Sequence, residues 1–269
     1  MTIEEQKRHF ETFGFLVKEG LFSAAEMARF STWFDEGFAR YHGPLDSERQ
    51  FVEPGLQLHP GLCQHYVGDA RILDTLDNLM GEDYLLMASD AQRRAGNTYW
   101  HQDTVIPMEE DKVGDYLMLK IQLYFDDLTS GEGSLWVLPG SHRKGYHRAV
   151  RELLEQCDKK DEEALTPAGV VPLDLPGAIP VKTKPGDIVF FNQKLAHASW
   201  GGASGRRFLG VTLGEKPTED YHLEWIMQHA NRWKEVCMND SKTQFPAPLA
   251  EHSSPRLRKA IEYLYSRGF

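Results

Sequence analysis

Four consecutive residues, Trp100-His101-Gln102-Asp103, concentrate the chemistry of this chain. In an extended strand alternate side chains share a face, so His101 and Asp103 project to the same side. An imidazole nitrogen beside a carboxylate oxygen makes two-thirds of the 2-His-1-carboxylate triad. That triad holds non-haem Fe(II) and leaves positions open for a co-substrate and dioxygen. The missing histidine is expected from a distant strand followed by an anion-binding arginine. His197, with Arg206 and Arg207 downstream, meets that description. A lone His-x-Asp arises often by chance, so the reading depends on its surroundings.

The surroundings are those of a β-rich domain. At 269 residues, with no internal repeat, low-complexity tract or linker, residues 1–269 read as a single domain of barrel type with helical additions. A hydrophobic share of 41%, with six Trp and fourteen Phe, supplies a sizeable core. The formal charge of −10, His counted as neutral, opposes a nucleic-acid footprint and is read as solubility. Cys63, Cys157 and Cys237 are odd in number and lack Cys-x-x-Cys spacing, so neither a disulfide framework nor a zinc-thiolate site is indicated. Reduced thiols suit the cytoplasm. The charged start Met1-Thr2-Ile3-Glu4-Glu5 has no apolar signal core, and no stretch reaches the roughly 18 apolar residues of a membrane span. A cytoplasmic protein with no membrane or nucleic-acid partner is the expectation.

Local signals predict the elements. Thr2 to Phe13 reads as a helix stopped by Gly14, and Phe15-Leu16-Val17 as a brief strand. Ser23-Ala24-Ala25-Glu26 is a capping box, and the helix after it stacks Met27, Phe30, Phe34 and Phe38 on one core-facing side. Residues 51–60 look irregular. Asp69 to Met80 forms a helix closed by Gly81, and Tyr84 to Ala88 a buried strand. Tyr116 to Phe125 alternates. Leu117, Leu119, Ile121, Leu123 and Phe125 share an apolar face, while Met118, Lys120, Gln122 and Tyr124 share the other, as in a barrel holding a small ligand. Strands follow at 134–138, 179–182, 188–191 and 208–213, with a helix inserted at 147–160 and two helices at the end.

In order along the chain stand Trp100-His101-Gln102-Asp103, Phe125-Asp126-Asp127, Gly133-Ser134-Leu135, Val137-Leu138-Pro139-Gly140-Ser141-His142, Pro185-Gly186-Asp187 and His197-Ala198-Ser199. From about Phe10 to Leu213 this pattern resembles the phytanoyl-CoA dioxygenase family of Fe(II)/2-oxoglutarate oxygenases. The resemblance implies a mainly β fold with helical flanks, a double-stranded β-helix (jelly roll, cupin-like). It implies that His101, Asp103 and His197 bind Fe(II), and that an arginine after His197 pairs with the distal carboxylate of 2-oxoglutarate. A guanidinium fork suits that task. Arg206 is the first choice and Arg207 its competitor, since strand alternation turns one of them outward. Ser199 matches a family serine able to bond the same carboxylate, and Gln102 a glutamine found between the ligands in some members.

The implied activity is hydroxylation of a small molecule with Fe(II), 2-oxoglutarate and O2, releasing succinate and CO2. The residues after Asp103, Thr104-Val105-Ile106-Pro107, do not reproduce the long signature of the ectoine-hydroxylase branch, and no peroxisomal targeting segment precedes the domain. A small polar metabolite is therefore expected: an amino acid, betaine, phosphonate or natural-product intermediate. Lys120 offers a cation to a bound anion from the inward face, with Gln122 and Tyr124 as lining, and Arg93 and Arg94 add positive charge upstream. The alternatives are an apolar or acyl-CoA substrate against Trp100, Trp136 and Trp200, or a non-catalytic jelly-roll binder. A halogenase is opposed by Asp103. His59 and His65 are expected in hydrogen-bonded or exposed roles and His142 in a structural turn. His147, His222, His229 and His252 are expected to be solvated.

Overall fold

The computed structural model describes every residue except 46–48, 95–96, 104–114, 156–174, 200–204, 240–241, 246–248, 250, 252–253 and 269. The readings placed on Thr104–Pro107, Cys157, Trp200 and His252 lie outside the described residues. Among those described, six helices of ten residues or more and ten strands carry the fold, with short helical turns between 55 and 67. Helices α1 (Ile3–Phe13) and α2 (Ala24–Phe38) each start on a capping box. Thr2 Oγ1 accepts from Glu5 N at 3.2 Å, and Ser23 Oγ from Glu26 N at 3.3 Å, with the glutamates bonding back to the cap backbone. Gly14, at φ 85°, ends α1 in the left-handed region open to glycine. Helix α3 (Ala70–Met80) starts on Asp69. Helices α4 (Tyr146–Glu155), α5 (Asp220–Val236) and α6 (Pro255–Tyr265) complete the set.

The strands are β1 (Phe15–Lys18), β2 (Arg49–Val52), β3 (Tyr84–Arg94), β4 (Thr98–His101), β5 (Met118–Tyr124), β6 (Leu135–Val137), β7 (Ile179–Val181), β8 (Ile188–Asn192), β9 (His197–Ser199) and β10 (Arg206–Glu215). They form two antiparallel sheets. The larger runs β1-β8-β5-β10-β3-β2 and the smaller β4-β9-β6-β7. Strand alternation sorts side chains between two layers. Leu119, Ile121 and Leu123 of β5, with Leu209, Val211 and Leu213 of β10, join Phe30, Phe34 and Phe38 in the core beneath the helices. Tyr124, Phe191, Phe208, Leu135 and Val137 form a second cluster between the sheets. Fully burying each phenylalanine of α2 is worth about 1.5–3 kcal/mol, so this helix is a principal buttress of the large sheet.

Four strand readings change. Residues 49–52 are a strand, although the segment has no apolar run, because they pair with the end of β3 (Phe51↔Gln92). That end extends to Arg94 through polar Ser89, Asp90 and Gln92, which nevertheless are buried. β10 begins at Arg206 rather than 208, paired with Arg94. Met118 opens β5 in the helix-side core instead of facing inward. Among the described residues no helix is long and apolar enough to cross a membrane.

Candidate metal centre and its cavity

The smaller sheet sets the centre. In the β4–β9 pair His101 lies directly across from His197, and their rings approach to 4.2 Å between centroids. Asp103 follows just past the end of β4. Its Oδ1 lies 3.3 Å from His101 Nε2 and 3.6 Å from His197 Nε2. The three donor atoms lie within 4.8 Å of one another, the one such group of His, Cys, Asp or Glu among the described residues. Metal bonds of about 2.1 Å at right angles put two donors about 3 Å apart, so one ion can reach all three.

Both imidazoles are oriented from behind. His101 Nδ1 bonds the Tyr99 carbonyl at 2.7 Å and His197 Nδ1 the Leu195 carbonyl at 2.9 Å. A carbonyl only accepts, so each Nδ1 carries the proton and each Nε2 presents a lone pair to the centre. Burial, then His101, pushes the His197 pKa below its usual range, which keeps the ring neutral and able to ligate. Burial alone would raise Asp103. Lys120, then His197 and His101, outweigh it and hold the carboxyl well below the usual carboxylate range. The donor set therefore fits a divalent first-row ion such as iron.

Lys120 is committed rather than free. Its Nζ lies 3.1 Å from Asp90 Oδ1 and 3.8 Å from Asp103 Oδ2. It reaches Asp90 over Gly210 of the intervening strand, where a Cβ would come within 2.6 Å of Lys120 Cε and 2.8 Å of Asp90 Oδ1. Arg206 and Arg207 part as alternation requires. Arg207 turns toward α2 and bonds Ser31 at 2.8 Å, Asp35 at 2.6 Å and Asp126 at 3.0 Å. Arg206 takes the inner face with Phe208. It is 5% exposed, beside Tyr124, and its Nε and Nη1 have no hydrogen-bond partner. Two orphaned guanidinium donors on an inward face fit a carboxylate ligand. Ser199 lines the cavity and donates to the Gly133 carbonyl at 3.2 Å. Gln102 does not face the cavity; its amide donates to the Lys194 carbonyl at 2.9 Å, a structural task.

The cavity beside the centre has a volume of about 380 Å³. Gln122 and Tyr124 line it, as does Arg94, whereas Arg93 turns away over the Phe38 ring and bonds Gly43 and Gln50. Trp100 and Trp136 pack with the core on the smaller sheet and do not line it. Its far wall escaped sequence reasoning: Arg49, Glu53 and Asp90, with His229, Arg232 and Trp233 of α5. His229 is buried, as are His147 and His222, contrary to the solvated roles expected. The one available signal was spacing: His229, Arg232 and Trp233 share a helix face at i, i+3, i+4. Trp233 Nε1 donates to His229 Nε2 at 2.6 Å, and burial takes the His229 pKa down to about 3. His59 accepts from Gly61 N at 3.0 Å and His65 is exposed, as expected; both stack on Trp33, and His142 meets the Glu11 carbonyl at 3.2 Å.

Comparison with known proteins follows the same outline. The phytanoyl-CoA dioxygenase (PhyH) family matches residues 10–208. Ectoine dioxygenase of Bordetella parapertussis is 26% identical over 213 residues, 72% of this chain and 69% of that protein. Its counterpart from Sphingopyxis alaskensis is 26% identical over 219 residues, 73% of this chain and 70% of that protein. HygX from Streptomyces hygroscopicus, solved with nickel and 2-oxoglutarate bound, superposes with a TM-score of 0.60 at 18% identity, covering 79% of this chain and 86% of that one. At that identity the likeness establishes the fold, a jelly roll.

Proposed function

The chain belongs to the phytanoyl-CoA dioxygenase family, and from that premise we propose that it is an Fe(II)- and 2-oxoglutarate-dependent dioxygenase hydroxylating a small polar metabolite. His101, Asp103 and His197 would hold the iron, Arg206 the distal carboxylate of 2-oxoglutarate, and Ser199 would support it. Bound there, iron and 2-oxoglutarate turn O2 into an oxidant strong enough for a C–H bond, with succinate and CO2 released. The protein's part is positional and electrostatic. The Tyr99 and Leu195 carbonyls fix both histidine tautomers, and Lys120 keeps Asp103 anionic. Leu135, Phe191 and Phe208 put an apolar wall around the centre, which excludes water and strengthens the Arg206–carboxylate attraction.

Two observations carry the reading: the convergence of two carbonyl-oriented Nε2 lone pairs and one carboxylate, and a buried arginine with unused donors next to the cavity-lining Tyr124. Cavity size favours a small substrate. Its 380 Å³ stands at the low end of the roughly 300–1,000 Å³ typical of small-molecule sites, and 2-oxoglutarate must share it. Ectoine, named in the relatives, exemplifies the class. Succinate release from the Fe(II)-loaded enzyme tests this. Coupling to a small polar metabolite is expected, while coupling to an acyl-CoA alone would overturn the substrate class.

A further inference from the structure

The far wall of the cavity holds a carboxyl that nothing in the proposed iron and 2-oxoglutarate sites uses. Glu53 follows β2 directly and is 4% exposed. Its backbone is occupied, the carbonyl accepting from Met238 N at 2.7 Å and Gln57 Nε2 at 3.3 Å. Its side chain is not: Glu53 lines the cavity, and its Oε2 is buried without a hydrogen-bond partner. A buried carboxyl left this way is costly and asks for an explanation. Lys120 does not neutralise it, being committed to Asp90 and Asp103.

Helix α5 places Arg232 in the same lining, near enough for its charge to act on Glu53. This arginine is exposed and makes no ion pair among the described residues. The wall thus offers an unpartnered carboxyl at depth and a guanidinium near solvent. Resting on the reading of this cavity as the substrate site, we propose that Glu53 binds a cationic nitrogen of the substrate and Arg232 its acid group, so that the substrate is a small zwitterion. A zwitterion satisfies both ends at once. An acid without the nitrogen leaves Glu53 unpaired, and an amine without the acid leaves Arg232 so; a site built for a polar partner rejects analogues that lack it.

The groups facing Glu53 give this arrangement a proton signature. Burial and then Asp90 of β3 push its pKa up to about 8, against the opposing pull of Arg49 of β2, Lys120 of β5 and Arg232 of α5. His229, also on α5, stays neutral. Near pH 7 Glu53 is therefore largely protonated, and a cation arriving beside it favours the carboxylate. Zwitterion binding should release the Glu53 proton to solvent. A neutral acceptor bound to the protonated carboxyl would release none.

The test is calorimetry on the anaerobic Fe(II)- and 2-oxoglutarate-loaded enzyme. The probes are small α-amino acids and betaines, each with its analogue lacking the nitrogen and its analogue lacking the carboxylate. At least one zwitterion should bind, with both of its analogues weaker by about tenfold or more, the scale of one lost charge-assisted contact. Titration at pH 7 in buffers of different ionisation enthalpy should show close to one proton released. Glu53→Gln should lose that affinity and the proton release while still binding 2-oxoglutarate. Arg232→Gln, at an exposed position of α5, should lose only the preference for the acid, and it decides the matter if Glu53→Gln does not fold. Equal binding of the nitrogen-free acids, absence of proton release, or no zwitterion binding to an enzyme that takes up 2-oxoglutarate would overturn the inference. Failure to bind metal or 2-oxoglutarate would instead overturn the reading beneath it.

Discussion

Replacing Arg206 with Met removes the cation on which 2-oxoglutarate is expected to rest. Losing one partner of a buried charge pair costs about 2–5 kcal/mol. At about 1.4 kcal/mol per decade, that is a roughly 30- to several-thousand-fold rise in the 2-oxoglutarate Kd. The ligand-free protein should respond in the opposite sense. Arg206 is buried with Nε and Nη1 unpartnered, and an uncompensated buried guanidinium is a cost that methionine, of similar reach, does not carry. Ligand-free stability should hold or rise. Arg207, the next residue, is the internal control. It bonds Ser31, Asp35 and Asp126 and packs over the Phe125 ring at 5.6 Å. Arg207→Met should lower stability by about 1–3 kcal/mol, as expected for lost hydrogen bonds to charged groups, and leave 2-oxoglutarate affinity unchanged. Calorimetric titration of the metal-loaded variants and urea unfolding of the metal-free ones measure the two effects. An affinity loss that follows Arg207, or that neither substitution produces, would refute the assignment.

Other perturbations read the same electrostatics. Lys120→Met should destabilise the metal-free fold by about 3–5 kcal/mol, the cost of stranding one side of a buried pair, and adding Asp90→Asn should recover most of it. The same change should tighten metal binding, because the lysine charge competes for Asp103; urea unfolding and metal titration check both, and wild-type stability in Lys120→Met would refute the pair. Acid should expose His229, whose folded-state pKa of about 3 lies below the ordinary 6.5. The unfolded chain then binds more protons between those values, so this contribution to stability is complete above about pH 6.5 and is lost as pH falls toward 3. His229→Gln should flatten the stability curve there by up to one proton, about 1.4 kcal/mol per pH unit; superimposable slopes would refute it.

The legible parts of this chain are those whose causes lie within a few residues. Ser23 and Glu26 announce α2 because a capping box is complete in four positions, and Gly14 and Gly81 mark helix ends by backbone freedom. His101 closes β4 and Asp103 comes two residues later, so strand alternation anticipates their approach although Asp103 lies just past the strand. What was hidden depends on partners far along the chain. Residues 49–52 become a strand only against the end of β3; Asp90 and Gln92 are buried in the cavity lining, and Ser89 by its bond from Leu56 N, 33 residues earlier. Spacing puts His229 and Arg232 on one helix face, but only the docking of α5 brings them to Glu53. Lys120 looked available because its partner Asp90 lies two strands away across Gly210.

The central claim is that one iron is held by His101, Asp103 and His197. Anaerobic titration of Fe(II) into the metal-free chain, with 2-oxoglutarate present, tests it most directly. One equivalent per chain is expected, with uptake abolished in His101→Ala, Asp103→Ala and His197→Ala while circular dichroism stays that of the parent. A His197→Ala protein that still takes up a full equivalent would contradict the account.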